Sequence, residues 1–520
     1  MIYHVLKEPK MEATPYPGES GKLGWERKLQ TEVCSYLTHI WKEAGGPNQT
    51  YVALDGVVPY AKIKQQRFRR FKGGAAAQAQ GAAQAQGTNE TQPKSIDGVW
   101  GEGATLAPWD KNAITPGTAF MEAMGSMLRE TGKKHGWIIS DTNDPGEGEH
   151  KVLQWLLRQK ESAALIQGPV IVYGLDADLI LLCLIAGDKL GDAYPIFLLR
   201  ESMAFGKLVR QEGPEGTNGT KGEVDLCFFQ ISTLRDSLQE KGPRGQLTKE
   251  QFYDYIFGMS FCGNDFLPTG LSLRIRDDGH SILLAGLNDL WSRGINLVLV
   301  DVEGILRPSA QGLKAFAYWM SRQEERLILT TIRRKMTARF GEDEADNLPL
   351  IEQAEKPMIE LKGERDVYLK KGWQSEYCKL AIGEDSLEQR KARVSDFWRG
   401  WCWILDYYQG RRVDLEWVYP AGYPPTWSDL VEHFELPSCD DWILREGLKP
   451  QEQLALVLPL SSWGLMLKTP YRDLPTRLPQ MWPQGFALES FAKRFGWECE
   501  PMIPMLTPGR LRYHVRHGQQ

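Results

Sequence analysis

The 520-residue sequence has no paired cysteines: its eight form no CxxC and have no paired histidines nearby. That excludes a zinc ribbon and the disulfide framework of a small secreted domain. A reducing compartment follows, with the cytoplasm as the default and the nucleus left open. No leader is expected either, because "MIYHVLKEPK" shows no basic segment followed by an apolar stretch and a cleavage site. Nor is there a long apolar run. The best candidate, Leu454 to Leu467, is too short to cross a bilayer and contains Pro459, so no membrane partner is expected. Finally, positive charge is not in excess: 62 Lys and Arg against 67 Asp and Glu leave a formal charge of −5. Nucleic acid would then have to be held by a local basic patch set against clustered acids.

What is present is ordinary globular composition, 42% hydrophobic and 25% charged, in a chain long enough for two large units or about three domains. Residues 73 to 93, "GGAAAQAQGAAQAQGTNETQP", carry no aromatic residue and only Glu90 as a charge. They read as a mobile insertion whose Ala/Gln portion has helical potential. Elsewhere in the first half, short apolar runs end in acids and lead into helical periodicity: "YVALD" then "AKIKQQRFRRFK", "WIIS" then "GEHKVLQWLLRQ", "VIVYG" then "LDADLILLCLIAG". This alternation predicts an α/β fold, a mixed and mainly parallel sheet flanked by helices. After about residue 285 the character shifts to helical candidates (309 to 340 and 385 to 408), an acidic stretch (342 to 366) and a Trp-, Tyr- and Pro-rich tail. The expected division is therefore 1–285 and 286–520, the second region packed on the first.

In parallel α/β sheets, ligands bind beyond the carboxyl ends of the strands. Asp55, Glu147, Glu149, Asp176 and Asp178 all fall there, and Asp265 follows in "GNDFLP". Alone, each pair also reads as acids favoured in a helix's first turn or a solvated loop, and Asp265 as turn chemistry. Together, so many carboxylates in one cleft would repel one another. Divalent Mg²⁺ or Mn²⁺, bound by hard oxygen ligands, would relieve that repulsion and suggests a two-metal site for phosphodiester hydrolysis. In "AKIKQQRFRRFK", Lys62, Gln66, Arg69 and Arg70 share one face of a 3.6-residue helix. They suit a terminal monophosphate, although a solvated basic face would have the same spacing.

Five motifs in order, "LDGVVPYAKIKQQRFRRF", "ITPGTAFM", "SDTNDPGEGEHK", "YGLDADLILL" and "GNDFLPTG", resemble the Xrn-type 5′-to-3′ exoribonuclease family. Further along, "WRGWCWILDYYQG", "WVYPAGYPP", "KPQEQLALVLP" and "FGWECEPMIPML" look like its second conserved region.

The resemblance implies a nuclease core related to flap endonucleases. It also implies processive release of nucleoside monophosphates from single-stranded RNA bearing a 5′-monophosphate. On this reading Asp55, Glu147, Glu149, Asp176, Asp178 and Asp265 are metal ligands for about two Mg²⁺ or Mn²⁺ ions. Lys62, Gln66, Arg69 and Arg70 form the 5′-phosphate pocket, and His4 and Trp417 are the aromatic groups on which the leading base stacks. The family pattern also has, shortly before the region matching "IYHVLKE", a strand ending in Asp-x-Asn whose aspartate is a further ligand. The sequence begins inside that region, so it reads as N-terminally truncated relative to the pattern and is expected to be a weak nuclease as it stands. Two alternatives stay open: an RNA 5′-end binder without catalysis, and a flap-type DNA nuclease, which the second region disfavours.

Overall fold

The computed structural model describes residues 1–85, 108–204, 207–209, 224–242, 245–337, 355–362, 366–438, 442–467, 469–493 and 498–517. The expected alternation is present in the first half. Strand β1 (Tyr51–Ala53) pairs in parallel with β2 (Ile138–Ser140), Tyr51 opposite Ile138 and Ala53 opposite Ser140. β3 (Val170–Tyr173) pairs in parallel with β4 (Ile196–Glu201), and β5 (Leu226–Gln230) lies antiparallel on the outer side of β4. Helices Gly148–Glu161 and Asp178–Leu190 follow β2 and β3, as the apolar periodicity requires. The sheet is divided into these two short pieces, and antiparallel hairpins such as Val298–Val300 with Leu306–Pro308 lie outside them.

The basic segment is one helix, Tyr60–Ala85. It enters the Ala/Gln stretch, whose remainder lies outside the described residues. Ile63, Arg67 and Phe71, at i, i+4 and i+8, are buried against C-terminal residues including Leu454, Leu456 and Leu511. Arg67 is the unexpected member of that stripe. Its guanidinium donates to the carbonyls of Leu456 at 2.6 Å, Pro504 at 3.2 Å and Met481. A planar fork of donors thus fastens the helix to three separate C-terminal segments. Burial lowers the Arg67 pKa to about 10.

In the second half, the span 309 to 340 holds two helices, Ala310–Ser321 and Glu324–Thr337, and most of the acidic stretch lies outside the described residues. Helix Leu387–Tyr408 begins at Ser386, whose side chain accepts from the Gln389 amide, a standard N-cap. Its C-terminal half is buried on most sides, with Trp398, Trp401 and Trp403 fully buried, so it runs through the core rather than along the surface. That core is continuous across residue 285, joining Leu182 and Phe257 with Leu287, Phe316 and Trp401. No described helix is long and apolar enough to cross a membrane.

Candidate active site

The loops after β1 and β2 are zipped together. The Gly56 amide donates to the Gly146 carbonyl at 2.9 Å, and the Gly146 amide to the Val57 carbonyl at 2.7 Å. Both glycines are required: a Cβ on Gly56 would collide with the Asp144 carbonyl, and Gly146 has φ +106°. Lys151 reaches back from the following helix to the carbonyls of Leu54 (2.8 Å) and Asp141 (2.9 Å). Two of the four acids in "SDTNDPGEGEHK" hold this loop rather than a ligand. Asp141 accepts from the Asn143 amide at 2.9 Å and pairs with Arg129, while Asp144 accepts from Ser140 at 2.8 Å.

The other two, Glu147 and Glu149, begin the helix, Glu147 as its N-cap residue. Asp55 Oδ1 accepts from the Gly148 amide at 2.7 Å, which sets a carboxylate at the positive end of that helix. Asp178 starts the next helix. Asp265 is presented by a turn in which Asn264 Oδ1 accepts from the amides of Phe266 (2.9 Å) and Leu267 (2.8 Å).

These acids feel one another. Burial is the largest influence on Glu149; the Lys62 ammonium opposes it, and Glu147, Asp176 and Asp178 add to it, leaving the pKa at about 8. Glu147 is raised by burial against the pull of Lys62, with Asp55 and Asp265 also raising it. Asp178 is raised by burial and by Asp265. All six sequence-predicted ligands therefore enter one electrostatic unit. Ligand atoms of Glu147, Glu149 and His150 come within 4.8 Å of one another. The His150 imidazole is neutral, its pKa lowered to about 3 by burial and by Lys62. A set of hard carboxylate oxygens, of which Glu147, Glu149 and Asp178 are held at raised pKa by burial and then by their neighbours' charge, fits a divalent cation.

The basic helix divides between two places. Lys62 Nζ sits among the acids, 3.0 Å from Asp265 Oδ2, 4.0 Å from Glu149 Oε1 and paired with Glu147 Oε2. Burial works against its charge, but Glu147, Asp265 and Glu149 win, so its pKa is raised. Arg70 lies two turns on, about 12 Å along the axis. It donates to Gln66 Oε1 at 3.2 Å and to Thr115 Oγ1 at 3.0 Å, and burial lowers its pKa to about 10. The "ITPGTAFM" motif thus contributes Thr115 to the arginine's seat. Arg69 is exposed.

The two aromatic residues expected to stack on a base are both largely covered. His4 is 8% exposed, lies 2.9 Å from Glu8 Oε1 and packs on Tyr36 with ring centroids 4.8 Å apart. Trp417 is 8% exposed and stacks on Trp403 at 5.5 Å. Both residues carry an apolar body that the core claims first. The neighbouring Tyr3 is 51% exposed.

Sequence reasoning missed two residues. Tyr407 donates to Glu147 Oε1 at 3.2 Å, and the Tyr408 phenol has its pKa raised by burial and then by the charge of Asp178. Their signal is the "DYYQG" at the end of a long apolar helix, where a buried hydroxyl needs a partner.

Carboxylates gathered mostly at strand ends, one basic helix beside them and a helical second region define a mixed α/β class with an acidic cluster that could hold a metal ion. The family model described as "XRN 5'-3' exonuclease N-terminus" matches residues 2–201, and that described as "Xrn1 helical domain" matches residues 329–519. The chain belongs to this Xrn-type family. It is 25% identical to the "5'-3' exoribonuclease 2" of Gallus gallus over 94% of this chain and 62% of that protein. It is 26% identical to the Arabidopsis thaliana protein of the same name over 89% of this chain and 57% of that one. To the "5'-3' exoribonuclease 1" of Schizosaccharomyces pombe it is 24% identical, over 94% of this chain and 44% of the relative. The chain thus spans less than two thirds of the length of each of these relatives.

Proposed function

We propose that this chain is a 5′-to-3′ exoribonuclease that releases nucleoside monophosphates processively from single-stranded RNA carrying a 5′-monophosphate. One observation carries the reading. Six carboxylates from four segments lie close enough to act on one another, and the helix that sends Lys62 among them also bears Gln66, Arg69 and Arg70.

Asp55, Glu147, Glu149, Asp176, Asp178 and Asp265 would hold two Mg²⁺ or Mn²⁺ ions. Such ions supply a water nucleophile at neutral pH and stabilise the leaving oxygen of the phosphodiester. The chain's own groups do the rest. Arg70, kept in place by Gln66 and Thr115, offers a preformed fork to the terminal phosphate, and the exposed Arg69 adds a second. Because that grip lies at a set distance along a rigid helix from the acids, it also sets which bond is presented for cleavage. Lys62 supplies positive charge among the acids themselves.

The test is hydrolysis of one RNA sequence with 5′-monophosphate, 5′-hydroxyl or 5′-triphosphate ends, alongside a DNA flap, across a Mg²⁺ titration. Mononucleotide release restricted to the monophosphate RNA is expected. Preference for the flap, or tight end binding with no product at any metal concentration, would select an alternative.

A further inference from the structure

Helix Leu387–Tyr408 belongs to the second region, yet its last two residues reach the acids that follow β2 and β3. Consecutive helical residues point about 100° apart, so the two phenols part: Tyr407 donates to Glu147 Oε1 at 3.2 Å, while Tyr408 feels the charge of Asp178 most among the acids.

Both rings are locked. Tyr407 stacks on Trp403 with centroids 4.7 Å apart, and Trp403 stacks on Trp417 at 5.5 Å. On its other sides Tyr407 meets His150 at 4.2 Å and Phe266 at 5.6 Å. Tyr408 packs on His150 at 5.3 Å and Phe257 at 6.3 Å. A ring held this way leaves its hydroxyl little freedom, so the carboxylate it touches inherits a fixed plane.

The two oxygens of Glu147 are held by groups of different kinds. Oε2 pairs with the Lys62 ammonium, and Oε1 accepts from the neutral Tyr407 hydroxyl. An arriving cation competes with an ammonium for charge but has no such competition with a phenol. Lys62 can therefore be exchanged while Tyr407 keeps its bond.

We infer that Tyr407 and Tyr408 are positioning residues, orienting Glu147 and Asp178 so that the second region sets the affinity of the acidic cleft for divalent cations. This rests on the two-ion reading above. Trp417 then has a defined place as the far end of the aromatic column that braces Tyr407.

Tyr407→Phe and Tyr408→Phe keep the rings and remove only the hydroxyls. Manganese binding to the RNA-free protein, read from the loss of the free-ion paramagnetic resonance signal, should weaken roughly 10–100-fold in each variant, as expected for outer-shell partners of metal ligands. The melting temperature of the metal-free protein should stay within a few degrees of the unaltered chain. Unchanged manganese affinity in both variants would overturn the inference, as would weakening matched by a general loss of folded protein. If the unaltered protein takes up no manganese, the two-ion reading falls and the inference with it; that result is distinct from equal binding by all three proteins, which sinks the inference alone.

Discussion

The ammonium of Lys62 lies 3.0 Å from the carboxylate of Asp265, and the same nitrogen pairs with Glu147. A residue that helical spacing groups with a phosphate pocket thus neutralises the acid cluster. Lys62→Met should cost the metal-free protein about 3–5 kcal/mol, the usual effect of removing one partner from a buried ion pair. Divalent metal should restore much of that loss, because a cation can stand in for the ammonium. Urea unfolding in EDTA and in millimolar Mg²⁺ makes the comparison, and an equal loss in both would show that Lys62 serves packing rather than charge.

Glu149 contributes to the pH dependence, alongside Asp254 and Glu324, whose pKa values burial raises to about 8 and about 7. The folded-state pKa of Glu149, about 8, lies above its ordinary value, so between roughly pH 4.5 and 8 the folded metal-free protein binds more protons than the unfolded chain. Stability therefore falls as pH rises through that window. Melting temperature in EDTA should decline from pH 5 to pH 8, and Glu149→Gln, which has nothing to titrate at that position, should make the decline shallower. The same variant should lose at least about 100-fold in cleavage, the scale of removing one group that stabilises transition-state charge, while a gel shift still detects RNA. Full activity would refute its assignment as a ligand.

Arg69→Ala and Arg70→Ala should each cost roughly 1.5–3 kcal/mol on 5′-monophosphate RNA, the value of a hydrogen bond to a charged group, or about 10–150-fold in kcat/KM. Thr115→Val should act in the same direction and less strongly, since it removes only Arg70's support at 3.0 Å. On 5′-hydroxyl RNA the penalties should shrink. Equal penalties on both substrates would mean that the helix is a general electrostatic track.

Two substitutions probe the scaffold. Gly56→Ala drives a methyl group into the Asp144 carbonyl, and overpacking of this kind costs about 1–3 kcal/mol. Arg67→Met leaves the carbonyls of Leu456, Pro504 and Met481 without their shared donor, and should cost at least about 3 kcal/mol by the desolvation penalty of buried acceptors. Chemical denaturation measures both. A neutral Arg67→Met would show that apolar contacts alone hold the basic helix to the C-terminal segments.

The sequence by itself determined the α/β alternation, the strand-end placement of five of the six acids and the helical face shared by Lys62, Gln66, Arg69 and Arg70. Each follows from local periodicity: apolar runs of strand length, acids at the start of the next helix, and a repeat of about four residues. Tertiary structure decided how these parts are used. Asp141 and Asp144 look like Glu147 and Glu149 in the sequence, yet only the closeness of β1 and β2 assigns the first pair to the loop and the second to the cleft. His4 and Trp417 became core residues because Tyr36 and Trp403 were there to cover them. Arg67 is one more arginine in a basic run until three distant carbonyls converge on it. Tyr407 lies 260 residues from Glu147 along the chain, a separation no sequence period spans. Hydrogen bonds and burial at such distances depend on how the core closes, and here it closes through the helix that ends at Tyr408.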